Sequence, residues 1–188
     1  MIEKMKNVRQ LRADEIECRV GNQNAAGCSL LLYKDARVDM RLLDETVGAA
    51  CWMREHKEVA GEVVCRVSIL NSFTGEWVAK EDVGSESKTE AVKGKFSDSF
   101  KRACFNWGIG RELYTAPFVW INFADGDTFV KDGKTIVKSG RFRVADIQYN
   151  EGAISYLSIV DSSGKGRYTY GKRIAEQSTI DFGKEVTV

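Results

Sequence analysis

The chain has 188 residues, and its 28 lysines and arginines nearly balance its 27 aspartates and glutamates, so the formal net charge is +1. Hydrophobic residues make up 43% of the chain and charged residues 29%, a composition that excludes the disordered, collagenous and membrane-embedded classes. The longest apolar stretch, Leu113 to Ala124, is shorter than the roughly 18 residues that a membrane-spanning helix needs. Taken as one number, the net charge argues against a nucleic-acid partner.

The number and spacing of the cysteines and histidines indicate which disulfide and zinc sites the chain can form. The five cysteines are odd in number and never spaced as C-x-x-C, which favours a reducing compartment and no structural disulfides. His56 is the single histidine, so the sequence has no zinc-binding pattern. The first twenty residues carry acidic side chains and lack the apolar core of a signal peptide. We therefore expect a cytoplasmic protein that uses no metal ion or other cofactor.

The first half of the chain predicts short elements followed by a β-meander. Residues 8–20 place aliphatic side chains among charges and predict an amphipathic helix. Residues 29–33 form an apolar run of strand length, and the spacing over Val38–Val47 predicts a helix that ends at a glycine. Over 52–83 the hydrophobic period changes to two, with a glycine-containing turn at 71–75, which predicts three antiparallel strands.

The second half predicts one long helix and then more strands. The helix spans Ser85–Trp107, is stopped by two glycines, and has Phe96, Phe100 and Trp107 on an apolar face that we expect in the core. Short strand-like segments follow at 118–123, 128–130, 136–137, 142–149, 154–160 and 167–170. Residues 174–188 are expected to be a flexible tail. The whole predicts an α+β fold in one domain over residues 1–188.

The near-neutral total hides a segregation of charge. Residues 31–87 have a net charge of −4, residues 88–112 of +3 and residues 131–173 of +5. Within the long helix Lys88, Lys95 and Arg102 recur every seven residues and form a stripe that a phosphate backbone could follow. Spacing alone leaves open whether this stripe binds DNA or is simply the solvated face of the helix.

Catalytic and metal-binding interpretations are weaker. The Asp125-x-Asp127 pattern lacks the glycine and glutamate of a calcium-binding EF-hand loop. Carboxylates can bind the metal ion of a nuclease, but the spacing of the four candidates does not distinguish them from a solvated acidic face: Glu45, Glu62, Glu81 and Asp82. We therefore predict a protein that is not an enzyme.

Several motifs together resemble the Rad52 family of recombination proteins, and most closely its phage Sak-like branch of single-strand annealing proteins. Glu81-Asp82-Val83-Gly84 closes a strand, Ser97-Asp98-Ser99-Phe100-Lys101-Arg102-Ala103 lies in the long helix, and Trp107-Gly108-Ile109-Gly110-Arg111 follows it. Upstream, Leu32 to Val38 and Leu43 to Gly48 add to the match. The resemblance covers residues 8–116. The strand-rich extension over 117–173 is predicted from its composition alone.

The resemblance implies an antiparallel β-β-β-α core that assembles into a ring or helical homo-oligomer. Single-stranded DNA would lie in a basic groove, held by its backbone, and would pair with a complementary strand without ATP during recombination and repair. The residues that it implies, or makes candidates, for DNA binding are Arg37, Lys88, Lys95, Ser97, Lys101, Arg102 and Arg111. In eukaryotic members another arginine lies one turn beyond the Lys-Arg pair, where this chain has Phe105.

The resemblance also implies the partners of this protein. Single-stranded DNA, further copies of the chain, and a single-strand-binding protein of a host or phage are the expected partners. The alternative is a double-stranded RNA-binding module, because a helix over Arg37–Val47, three strands and a helix opening near Lys88 follow the α-β-β-β-α order of that domain. That domain does not require the Trp107–Arg111 motif.

Overall fold

The computed structural model describes residues 1–85, 91–131, 134–138 and 140–174. Within them the chain forms eleven β-strands, two α-helices and short 3-10 helices, which confirms the α+β class. No helix in this part of the chain is long and apolar enough to cross a membrane. Residues 175–188, nearly all of the predicted tail, lie outside the described residues.

The strands are β1 (Glu17–Gln23), β2 (Gly27–Tyr33), β3 (Trp52–Val59), β4 (Glu62–Leu70), β5 (Trp77–Val83), β6 (Val119–Asn122), β7 (Thr128–Lys131), β8 (Lys134–Val137), β9 (Phe142–Asn150), β10 (Ala153–Asp161) and β11 (Gly166–Gly171). The α-helices are α1 (Ala36–Val47) and α2 (Ala91–Asn106), and 3-10 helices cover Ile2–Asn7, Ala13–Glu15, Ala49–Cys51 and Arg111–Thr115. All paired strands run antiparallel.

The strands form a six-stranded sheet in the order β11-β10-β9-β1-β2-β6, a three-stranded sheet β3-β4-β5 and the hairpin β7-β8. The predicted meander over 52–83 is therefore confirmed, with β4 at its centre. The large sheet joins the first two strands to the last three, and β1 meets β9 where Glu17 pairs with Arg143. The strand-rich extension is thus continuous with the fold of the first half.

Helix α2 packs on β4 and β5 through its apolar face. Phe100 is fully buried and stacks with Trp52, with ring centroids 6.1 Å apart. Trp107 donates its indole N–H to the carbonyl of Val67 at 3.0 Å. A Cβ on Gly84 would lie 2.1 Å from the main-chain oxygen of Lys95, so glycine is what permits this close approach of strand end and helix.

Two predictions about the core and the N-terminus are wrong. Phe96 is 41% exposed and packs on the ring of His56 instead of entering the core. The helix expected over residues 8–20 is absent from the described chain, where a short 3-10 helix and the strand β1 take its place. Over residues 17–20, pairing of β1 with β2 gives the backbone groups partners and overrides the local helical pattern.

An arginine cluster stabilises this N-terminal segment. The carboxylate of Glu15 is only 1% exposed and accepts hydrogen bonds from Arg9 at 2.7 and 2.8 Å, from Arg12 at 3.0 Å and from Arg41 at 3.2 Å. The hydrogen bonds from Arg9, together with the positive charges around it, lower the pKa of Glu15 to about 2. The cluster ties the 3-10 helix to the side of α1.

We expect Glu15→Gln to lower the free energy of unfolding by about 2–3 kcal/mol at neutral pH, because the arginines lose their buried counter-charge. A carboxyl with a lowered folded pKa contributes stability above its unfolded value, near 4.5, and loses that contribution as the pH falls toward 2. Urea unfolding of both proteins between pH 7 and pH 3 should therefore show the difference shrinking with acid. A constant difference would contradict an electrostatic role for Glu15.

A second buried charge network closes the large sheet on itself. Asp127 is fully buried and accepts hydrogen bonds from Arg167 at 2.6 and 2.9 Å, from Arg141 at 2.7 Å and from the main-chain N–H of Ala124 at 2.8 Å. Asp161 lies 3.4 and 3.5 Å from the same two guanidinium groups. We call Asp127, Arg141, Asp161 and Arg167 the edge clamp. Arg167 of β11 also donates to the carbonyl of Asn122 in β6, so the clamp joins the two end strands of the sheet.

Candidate nucleic-acid interface

A groove of about 760 Å³ separates α2 from the outward face of β2. Its floor carries Leu31 and Tyr33, which alternate with the core-facing Leu30 and share a face across β1 with Arg19. Its wall is α2, and one end is formed by residues 110–118. The residues that line the groove include Tyr33, Lys34, Asp82 of β5, Asp98, Lys101, Arg102, Phe105, Tyr114 and Phe118.

The helical period of α2 determines which side chains reach the groove. Phe100, Ala103 and Cys104 are fully buried against the core. Residues advance by about 100° each along a helix, so Lys101 and Arg102 emerge on either side of this buried stripe. Both line the groove, where the carboxylates of Asp98 on the same helix and Asp82 on β5 also lie.

The two cations are held differently. Arg102 is about half exposed and lies 3.2 Å from Asp82 at the end of β5. Lys101 makes no ion pair with any residue that the structure describes. Asp98 accepts hydrogen bonds from the main chain and hydroxyl of Ser85 at 2.9 Å, both at its Oδ2 atom. A phosphate could therefore contact Lys101 directly, and could reach Arg102 in exchange for Asp82.

A buried ion pair lies beneath the groove. Lys34 donates to Asp39, which is fully buried and whose second oxygen has no hydrogen-bond partner among the described residues. Burial raises the pKa of Asp39 to about 6, against the opposing positive charges of Lys34 and Lys101. A Cβ on Gly110 would lie 2.3 Å from the Lys34 side chain, and its φ of +77° is in the left-handed region, so glycine there lets the lysine reach Asp39.

The rim of the groove is rich in exposed aromatic side chains. Tyr114 is 77% exposed and Phe118 76% exposed. Tyr33 is partly exposed, and the guanidinium carbon of Arg19 lies 4.9 Å from its ring centroid. Large exposed aromatics next to positive charges are typical of surfaces that bind single-stranded nucleic acid.

A family model described as Rad52/22 family double-strand break repair protein matches residues 4–125 of this chain. The chain belongs to the Rad52/22 family. Two relatives carry the name single-stranded DNA-binding protein DdrA. The protein of Deinococcus radiodurans is 35% identical over 95 residues, which cover 48% of this chain and 45% of the relative. The protein of Deinococcus deserti is 32% identical over 95 residues, which cover 48% and 46%. The chain therefore spans less than half the length of these relatives that it matches.

Family membership confirms the resemblance to the Rad52 family inferred from the motifs, while the phage Sak-like branch stays a prediction. The structure shows what the motif residues do in this Rad52/22 protein. Gly84 permits the contact of β5 with α2, Trp107 anchors the helix end to β4, and Gly110 makes room for Lys34. The α-β-β-β-α order behind the RNA-binding alternative is present as α1, β3, β4, β5 and α2. The family match assigns that order to a Rad52/22 protein and removes the basis for the alternative.

Of the seven side chains predicted to bind DNA in this Rad52/22 protein, the structure brings Lys101 and Arg102 together in the groove. Arg37 is exposed in the first turn of α1 and does not line it. Ser97 donates back to the carbonyl of Gly94 at 3.2 Å. Lys88 lies outside the described residues.

The remaining two predicted residues serve the fold in ways that the sequence did not indicate. Lys95 lies 3.3 Å from Glu62 on β4. Arg111 donates to the carbonyls of Phe105 and Asn106 at 2.9 and 3.0 Å, which satisfies the end of α2 and places a positive charge at the negative end of its dipole. Arg111 lies outside the groove between α2 and β2.

Each of the four carboxylates that could bind a nuclease metal ion instead forms an ion pair with a basic side chain. Glu45 pairs with Arg9 at 2.8 Å and Glu62 with Lys95, while Glu81 lies 2.8 Å from both Lys57 and Arg66. Asp82 pairs with Arg102. Within the described part of the chain no three His, Cys, Asp or Glu side chains are grouped to hold a metal ion.

Proposed function

We propose that this Rad52/22 protein binds single-stranded DNA in the groove between β2 and α2 and anneals complementary strands without nucleotide hydrolysis. The observation that supports it best is Lys101 and Arg102 on the groove wall, opposite the exposed strand face with Leu31 and Tyr33. The name of the two DdrA relatives supports the same substrate. Arg37 remains a candidate for a further phosphate contact.

The proposed mechanism is physical and requires no catalytic residue. Cations on the groove wall neutralise phosphates and release the counterions of a bound strand. Neutralised phosphates repel an incoming strand less, and a strand held extended loses less entropy when it finds its register. Base pairing then supplies the sequence specificity. The acidic residues of 31–87 and the basic residues of 88–112 give the chain this uneven charge despite its total of +1.

We infer further that the chain works as a homo-oligomer, either a ring or a helical filament, in which one basic groove per copy follows the strand. Within each copy, residues 1–188 are proposed to act as one annealing domain, because the large sheet contains strands from both the family-like part and the extension. Native mass spectrometry with and without an oligonucleotide would measure the assembly.

The annealing proposal is tested by mixing two complementary labelled oligonucleotides with and without the protein, in the absence of any nucleotide cofactor. We expect faster duplex formation at low salt, and a smaller effect as salt screens the phosphate contacts. Equal rates with and without protein at low salt would contradict annealing. In a competition experiment single-stranded DNA should displace the labelled strand more effectively than duplex RNA, whereas the opposite order would favour RNA-binding function.

A further inference from the structure

The groove contains an aromatic pair that phosphate binding does not use. The ring centroids of Phe105 and Tyr114 lie 4.8 Å apart with an interplanar angle of 56°. The guanidinium carbon of Arg111 lies 5.5 Å from the Phe105 centroid, and the guanidinium is itself fixed by the carbonyls at the end of α2. Tyr114 is therefore supported by a neighbouring ring while it remains 77% exposed at the groove.

The aromatic pair lies one helical turn from the cations. Phe105 follows Lys101 by four residues, so the two side chains are neighbours on α2, about 5–6 Å apart at their Cβ atoms. A ligand that fits both must carry a negative charge and a flat apolar ring within that short distance. A nucleotide of single-stranded DNA has both, whereas the bases of a duplex are already stacked inside it.

We propose that Phe105 and Tyr114 form a stacking site for one nucleobase of the bound single strand. The site would fix the position of that nucleotide relative to Lys101 and Arg102. This inference rests on the proposed function, since it concerns the same groove and the same ligand. It also gives a role to Phe105, the position at which the sequence departs from the basic pattern of eukaryotic family members.

Tyr114→Ala tests the stacking site in the full-length protein. Binding of a labelled oligothymidylate, followed by fluorescence anisotropy, should weaken by about ten-fold, the range found when a base loses an aromatic partner. The slope of log Kd against log salt should stay unchanged, because Tyr114 neutralises no phosphate. Tyr114→Phe should bind like the unchanged protein, because it keeps the ring. Phe73→Ala is the matched control, since Phe73 is 81% exposed in the β4–β5 turn, away from the groove, and should not affect binding.

An abasic strand separates stacking from other roles of the ring. A deoxyribose-phosphate oligomer of the same length should bind the unchanged protein and Tyr114→Ala equally, because it has no base to stack. If Tyr114→Ala weakened binding of the abasic strand as much as that of oligothymidylate, or changed the mass of the assembly, the stacking site would be wrong.

The outcome also distinguishes this inference from the proposed function. Normal oligothymidylate binding by Tyr114→Ala, with binding lost on removal of Lys101 and Arg102, would overturn the stacking site and leave the groove as the DNA site. Absence of binding by the unchanged protein would overturn both.

Discussion

Replacing both Lys101 and Arg102 with alanine is expected to weaken single-stranded DNA binding by about 100-fold at low salt. Hydrogen bonds that involve a charged group contribute about 1.5–3 kcal/mol each, and 1.4 kcal/mol corresponds to a ten-fold change in Kd. Each lost phosphate contact should also reduce the salt slope by about 0.7, so the double variant should lose about 1.4. Anisotropy titrations with labelled oligothymidylate over a range of salt concentrations measure both quantities.

The control for charge is Lys4→Ala/Lys6→Ala, which removes two exposed lysines from the first 3-10 helix, away from the groove. It has the same net charge as the groove variant and should bind within a few-fold of the unchanged protein. If the two double variants bound equally well, the positive groove wall would not be the DNA site. All four side chains lie outside the buried core, so the groove variant and the control variant should both keep the Tm of the unchanged protein.

The second large effect is expected at the edge clamp, where Asp127→Asn should lower the free energy of unfolding by about 3–5 kcal/mol. The substitution keeps the shape of the side chain and removes the buried charge that the partly exposed guanidinium groups of Arg141 and Arg167 surround. In a chain of this length that loss corresponds to a decrease in Tm of roughly 8–15 °C. Thermal unfolding followed by circular dichroism measures it.

Asp125→Asn is the matched control for the clamp, because Asp125 is exposed two residues away. It should change Tm by no more than about 2 °C. The Arg167 side chain lowers the pKa of Asp127, so the contribution of the clamp should persist above the ordinary pKa of an aspartate and be lost in strong acid. Equal Tm values for Asp127→Asn and the unchanged protein would show that the clamp does not stabilise the sheet.

The fold was predictable where hydrophobic spacing and tertiary packing agree. Cys65, Val67 and Ile69 alternate along β4 and all are buried, as a period of two requires. Agreement fails at β1, where the local spacing favoured a helix and pairing with the neighbouring strand β2 decided the outcome. Phe96 also follows the helical period and shares the face of Phe100, but it packs on His56 and stays 41% exposed. Periodicity identifies a face, but how far along the helix that face is covered depends on the neighbouring elements.

The site was predictable only in part, for a similar reason. The family motif identified Lys101 and Arg102, which lie next to each other in the chain. Lys34, Tyr114 and Phe118 also line the groove, but α1, α2 and the large sheet bring them together from distant parts of the sequence. Alternation along β2 separates Tyr33 from Leu30, yet it does not show which of the two faces meets α2. The DNA contacts themselves stay a prediction.

The strand order of the large sheet determines where the chain can be truncated without breaking the sheet. The family match ends at residue 125, but β1 and β2 lie between β6 on one side and β9 on the other. Tyr149 of β9 donates to the carbonyl of Leu11 at 2.8 Å, and the main-chain N–H of Ile154 in β10 donates to the hydroxyl of Thr115. A fragment that stops at the family boundary would leave half of a sheet and its apolar face in water. We therefore expect the folding unit of this protein to extend beyond residue 125.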